Sequence, residues 1–153
     1  MKTTMDYSKA ADWIIGEKAF DSRLLGKCES IMCLGNGYFC IRSAAEERYV
    51  REKRDCFVAG TFNKFDENEV TELPNAADLM AMDLELNGQP FTLEQGEIKS
   101  YYRQLNLKTG ELTRTVDWLS PDGDEYRFVF ERIVSMKEKH VAAQRISVTP
   151  VTR

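Results

Sequence analysis

The sequence predicts an all-β chain, an antiparallel β-sandwich with at most short helices. Three observations lead there. Apolar residues recur at every second position along much of the chain, such runs return about every ten residues, and Gly, Asn, Asp or Pro turns separate them.

The first pair of apolar runs lies in Glu29–Arg42, around Gly35-Asn36-Gly37. Ser43–Lys53 follows with helix formers and charges but no long apolar stripe, and reads as a short helix or a polar loop. Asn63–Asn75 is acidic and reads as a connection between strand groups. From Leu79 to Asn87, Met80, Met82, Leu84 and Leu86 alternate with Ala81, Asp83, Glu85 and Asn87, which predicts a half-buried strand. Asn87-Gly88 predicts a type I′ turn, because both of its central residues need positive φ. A second strand is expected near Phe91 and Leu93, with Pro90 keeping its start at an edge. Ile98–Leu107 reads as a strand, Lys108-Thr-Gly110 as a turn, and Leu112–Trp118 as an alternating strand. Pro121-Asp-Gly-Asp124 is a turn in which proline presets one φ and glycine takes the positive one. Tyr126, Phe128 and Phe130 then share one face, and a last strand runs from about Val141 to Val148.

Composition narrows the function classes. The 153 residues, 42% apolar and 30% charged, fit a single domain over 1–153 with a real core. A net charge of −4 offers no basic footprint for nucleic acid. No apolar run approaches the roughly 20 residues of a spanning helix, so no membrane partner is expected. The first twenty residues lack an apolar signal-peptide core, and with reduced thiols this predicts a cytoplasmic protein. Cys28, Cys33, Cys40 and Cys56 lack paired Cys-x-x-Cys spacing and His140 is the only histidine, so no metal site is expected. Three of the four cysteines fall in apolar runs read as strands, which predicts small buried hydrophobes.

Gly35-Asn36-Gly37 admits three readings: a phosphate loop, a sugar-binding turn or a hairpin. A Walker-type loop needs a terminal Lys-Ser or Lys-Thr and a helix behind it, and a dinucleotide fingerprint needs a third glycine. Strand-like Tyr38-Phe-Cys-Ile41 follows instead, which favours a structural turn. Glu46-Glu47 could suggest the paired carboxylates of glycosidic chemistry. Adjacent residues point apart, however, and these sit among Arg48, Arg51, Lys53 and Arg54, so a solvated charged face is expected. Asp122 and Asp124 lack the other ligands of a calcium loop. His140 has no nucleophile elbow to serve. Trp13, Tyr38, Tyr101, Tyr102 and Trp118 could stack on sugar, but at strand spacing they read as core or rim. No catalytic residue is identified.

An ordered series of motifs adds a family. Glu29-Ser-x-x-x-Leu-Gly-Asn-Gly-Tyr38 with Arg42 resembles the start of the N-terminal domain of glycoside hydrolase family 65, which includes maltose, trehalose and kojibiose phosphorylases. The likeness continues through Ala59-Gly60-Thr-Phe62, Glu72-Leu-Pro-Asn75, Leu84–Phe91 and Tyr102–Leu112. It closes with Phe130–Ser135, His140–Arg145 and Val148-Thr-Pro150, covering nearly everything from about Trp13 onward. Cys40 departs from the family's usual glycine, and Ser43-Ala44 from its usual glycine plus small polar residue.

The resemblance implies a galactose mutarotase-like supersandwich; the family's domain is longer than this chain, which leaves open a complete or an incomplete sandwich. It implies a non-catalytic role ahead of an (α/α)6 barrel that holds the catalytic acid and the sugar and phosphate sites. Supporting that barrel and helping a homodimer to form are the expected tasks, with sugar met only through the full enzyme. No cofactor is implied; inorganic phosphate is the co-substrate of the larger parent, an inverting disaccharide phosphorylase or hydrolase. Asn36, Tyr38 and Arg42 are the candidate contacts to substrate or the neighbouring domain. The alternative is a free-standing carbohydrate-binding or self-association sandwich.

Overall fold

Four long strands form the body of the molecule, in a computed structural model that describes residues 4–151. The chain opens with β1 (Met5–Asp6), a 3-10 turn at Ala10–Asp12, β2 (Ile14–Glu17) and a helix, α1 (Leu25–Ile31). The short strands β3 (Leu34–Gly35), β4 (Phe39–Ile41) and β5 (Cys56–Val58) follow, then β6 (Glu85–Leu86) and β7 (Gln89–Pro90). The long strands are β8 (Glu97–Asn106), β9 (Glu111–Leu119), β10 (Glu125–Val134) and β11 (Ala142–Pro150). All pairings are antiparallel, in a six-stranded sheet ordered β1-β2-β8-β9-β10-β11, a three-stranded sheet β3-β4-β5 and a two-stranded sheet β6-β7. The expected mainly β, sandwich-like architecture is what the chain adopts.

Turn chemistry sets the register of the hairpins. Asn87 and Gly88 have φ of 50° and 77°, as a type I′ turn demands, and Gly110 and Gly123 take positive φ at their turns. The long strands alternate as expected: Leu112, Arg114, Val116 and Trp118 are buried on β9, and Tyr126, Phe128, Phe130, Arg132 and Val134 on β10.

Three expectations change. Leu79–Asn87 is a strand only at Glu85–Leu86. The Asp78 carboxylate accepts the amides of Met80 and Ala81, and the Met82 amide donates to the Glu46 carbonyl, so this backbone is satisfied outside any ladder. The strand expected near Phe91 and Leu93 ends at Pro90, and both side chains dive into the core. Helix α1 takes the start of the first apolar run, Glu29–Ile31, and Cys33 falls outside any strand. Of the expected strand cysteines only Cys40 and Cys56 lie in strands, and Cys33 and Cys40 are exposed where buried thiols were expected.

The inner face of the large sheet carries two apolar clusters. One joins Met5, Cys28, Met32, Leu34, Ile41, Cys56 and Met80 to Leu105, Leu112 and Val134. The other gathers Leu25, Ala45, Tyr49, Phe91 and Leu93 over Val116, Trp118, Tyr126, Phe128 and Phe130. The small sheet and helix α1 cover the first cluster, and Leu25 of the helix joins the Ser43–Tyr49 loop and the segment after β7 over the second.

Candidate functional site

The Gly35-Asn36-Gly37 turn joins β3 to β4, with Leu34 opposite Ile41 and Gly35 opposite Cys40. Asn36 does the turning: its Oδ1 accepts the amides of Tyr38 and Phe39 at 2.9 and 2.8 Å, an Asx turn. Gly37, at φ 82°, takes the left-handed step. The Asn36 Nδ2 donates to the carbonyls of Ser135 and Lys139 at 2.7 and 3.0 Å, tying this turn to the β10–β11 connection. The Tyr38 ring meets His140 edge-on at 4.2 Å across the same junction. Phosphate-loop geometry is absent from this turn, since a strand rather than a helix follows it.

Arg42 sits just beyond β4 and reaches helix α1, donating to the Gly26 carbonyl and, at 3.4 Å, to Ser30 Oγ. Its Nε lies 3.5 Å from Glu29, and Asp55 stands 4.0 Å away. Of the three candidate contact residues, Asn36 is buried while Tyr38 and Arg42 are half-buried. Replacing Asn36 with alanine removes both halves of its amide pairing and strands two carbonyls. The expected loss is about 1–3 kcal/mol in urea denaturation. Asn36→Asp keeps the acceptor half but turns a carboxylate oxygen on both carbonyls, so it should not rescue the loss at neutral pH.

Glu29 is 1% exposed. Burial raises its carboxyl above the ordinary value, although the Lys53 amide and the Arg42 and Arg103 charges act the other way. A carboxyl that holds its proton more tightly when folded loses stability as pH rises from the unfolded value through the folded one. The difference in unfolding free energy between Glu29→Gln and the wild type should therefore grow as pH rises above about 4.5, then level off. A flat difference across that range would contradict this assignment.

The largest unexpected feature is a buried ion network. Arg103 on β8, Arg114 on β9 and Arg132 on β10 all face inward at 4%, 3% and 1% exposure. Arg103 stands directly opposite Arg114, and Arg114 opposite Phe130, whose ring lies 4.0 Å from the guanidinium carbon. On each strand the arginine separates residues of one apolar cluster from residues of the other. The row therefore partitions the core.

Three glutamates answer the three arginines. Glu17 pairs with Arg103 across the β2–β8 ladder and accepts from its Nε at 2.8 Å, with Tyr101 Oη also donating at 2.8 Å. The Arg103 Nη1 donates to the Ser43 carbonyl at 2.9 Å. Arg114 donates to both oxygens of Glu47 and, at 2.7 Å, to Glu46. Glu46 also accepts from Arg132 at 2.7 Å. Tyr49 Oη donates to Glu47 at 2.7 Å and accepts the Leu93 amide. Glu46 and Glu47 are thus 4% and 3% exposed, not a solvated face. The irregular Ser43–Tyr49 loop lets adjacent side chains turn the same way, which a strand or helix forbids.

Charge balance explains how such burial is tolerated. Burial opposes the Arg114 charge, yet Glu47 and Glu46 outweigh it and hold the guanidinium well above its usual value. Burial likewise opposes ionised Glu47, and Arg114 overrides it to push the carboxyl below its usual range. Arg132 has Glu46 alone as its partner, and there burial prevails. Every carboxylate in this row is bound to arginine, so none is placed to donate or accept a proton in catalysis. Among the described residues no cluster of three or more His, Cys, Asp or Glu side chains could hold a metal ion.

Trp118 is fully buried and Tyr101 leans onto the core, while Trp13 is 55% exposed. Tyr102 bonds Asp6.

A mainly β, sandwich-like domain of antiparallel sheets is the class that this fold defines. The chain belongs to the glycosyl hydrolase family 65 N-terminal domain family, which it matches over residues 15–153. It is 48% identical over 140 residues to a kojibiose phosphorylase of Halothermothrix orenii, covering 92% of this chain and 18% of that protein. It is 34% identical over 154 residues to an α,α-trehalose phosphorylase of Thermoanaerobacter brockii, covering 92% and 20%. A solved structure of a candidate kojibiose phosphorylase from the human microbiome superposes with a TM-score of 0.86 at 19% identity, over 97% of this chain and 21% of that one. The chain therefore spans about a fifth of the length of these relatives.

Proposed function

We propose that this chain is the N-terminal, non-catalytic part of a disaccharide phosphorylase acting on an α-linked glucose disaccharide. The observation that carries this reading is the match over residues 15–153, together with relatives that include both kojibiose and trehalose phosphorylases. The domain's own task is scaffolding. It supports a helical catalytic barrel, presents Tyr38 from the β3–β4 hairpin towards it with Asn36 fixing the turn and Arg42 tying that hairpin back to helix α1, and helps a cytoplasmic homodimer to assemble. The buried ion row suits this work, because balanced internal charge specifies one packing of sheet and loop.

In the parent reaction inorganic phosphate attacks the anomeric carbon while an acid of the barrel protonates the departing glycosidic oxygen. One enzymic acid then suffices, since phosphate replaces the base-activated water of an inverting hydrolase. The test is an assay of the complete enzyme with kojibiose or trehalose and phosphate. Release of a glucose 1-phosphate supports the reading. Release of glucose alone, at a rate indifferent to phosphate, would make the parent a hydrolase.

A further inference from the structure

The outer face of the β3–β4 hairpin holds two exposed thiols, Cys33 and Cys40, whereas Cys28 and Cys56 are buried. Cys40 stands opposite Gly35, and Cys33 lies two residues before that glycine, so period two puts both cysteines on one face as a diagonal pair. Gly35 offers no side chain between them. The strands are close here: a Cβ at Gly35 would stand 3.2 Å from the Phe39 carbonyl oxygen and 3.9 Å from the Cys40 Cα. Cys33 itself precedes β3 and is not held by the ladder. Diagonal partners lie about 7–8 Å apart, with Cβ atoms somewhat nearer, just past the roughly 7 Å beyond which a disulfide needs backbone movement, so closure requires a small shift of the chain at Cys33. Cys33 lies outside the ladder, in the link between helix α1 and β3, and Gly35 puts no side chain between the two thiols.

We propose that Cys33 and Cys40 are a reversible redox modification site, closing an intrachain disulfide under low-molecular-weight disulfides such as oxidised glutathione. The Cys33 thiolate attacks one glutathione sulfur, forming a mixed disulfide and releasing one glutathione thiolate. The Cys40 thiolate then attacks the Cys33 sulfur and expels the second. Two protein thiols are oxidised, one glutathione disulfide is reduced to two thiols, and the protons pass to the departing thiolates. The order follows from the surroundings. Burial, and after it the adjoining Cys33, push the Cys40 thiol up, which suits it to the second, intramolecular step.

The experiment incubates the protein with oxidised glutathione, then measures intact mass and thiols accessible without denaturant. The wild type should lose both accessible thiols and the mass of two hydrogen atoms, and dithiothreitol should restore them. Cys33→Ser and Cys40→Ser, both surface substitutions, should each stop at a single glutathione adduct. A bidentate arsenical, phenylarsine oxide, should bind the reduced wild type with one-to-one stoichiometry and neither variant. A wild type that retains free thiols, accumulates the glutathione adduct without closing it, or links chain to chain would overturn the proposal.

Discussion

Replacing Arg114 with methionine is expected to cost about 3–5 kcal/mol of folding stability, because it leaves Glu47 buried without a cation and Glu46 with Arg132 alone. Volume is nearly conserved, so lost packing contributes little. The measurement is urea denaturation with the slope checked against the wild type. An unchanged slope with a lower midpoint reports stability alone. The double variant Arg114→Met, Glu47→Leu removes the stranded charge while leaving Glu46 paired with Arg132. It should recover part of the loss. If the double variant is no better than the single one, an unpaired carboxylate is not the source of the damage.

Trp118→Ala should be comparably severe, about 3–5 kcal/mol, through the cavity it leaves in the second apolar cluster. The indole is fully buried, edge-on to Phe91 at 5.3 Å and within 6.4 Å of Tyr126. Its Nε1 donates to the Gln95 carbonyl at 2.8 Å, which pins the bend into β8. Gly96 occupies that bend at φ 70°, where a Cβ would fall 2.2 Å from the Leu119 carbonyl oxygen. Trp118→Phe keeps much of the buried area and loses that one hydrogen bond, so it should fall between alanine and wild type. Denaturation midpoints of the three proteins check the order.

Local pattern carried the fold as far as local pattern reaches. Asn87-Gly88 and Pro121–Asp124 announce their turns because positive φ restricts the choice of residue, and the phenylalanines of β10 announce a face. Helix α1 was hidden because it is only seven residues long, contains Gly26 and has no capping side chain. Arg42, sixteen residues later, supplies the donor to the Gly26 carbonyl. The Met80–Met82 alternation looks like a strand, yet Asp78 and Glu46 satisfy its amides elsewhere. For the ion row a signal did exist. Arg114 occupies an inward position between Leu112 and Val116, as Arg132 does between Phe130 and Val134, and an inward arginine demands a buried acid. What no window of sequence could supply was which acid. Glu46 and Glu47 read as solvated from their neighbours because their partners are 67 to 86 residues away.

Those separations also govern how the chain reaches its native state. The pairs Glu17–Arg103, Glu46–Arg114 and Glu46–Arg132 join residues 86, 68 and 86 apart. None can close until the early segments meet the late hairpins, and long loops must be ordered before any such contact rewards them. Hairpins β8–β9 and β9–β10, joined by short turns, can assemble first with their arginines still hydrated. Docking of the Ser43–Tyr49 loop then has to strip that water in one concerted closure. The ion row should therefore close late in folding, and the chain should fold on the slow, roughly millisecond-to-second scale of β proteins rich in distant contacts, which stopped-flow refolding of the Arg114→Met variant against the wild type checks.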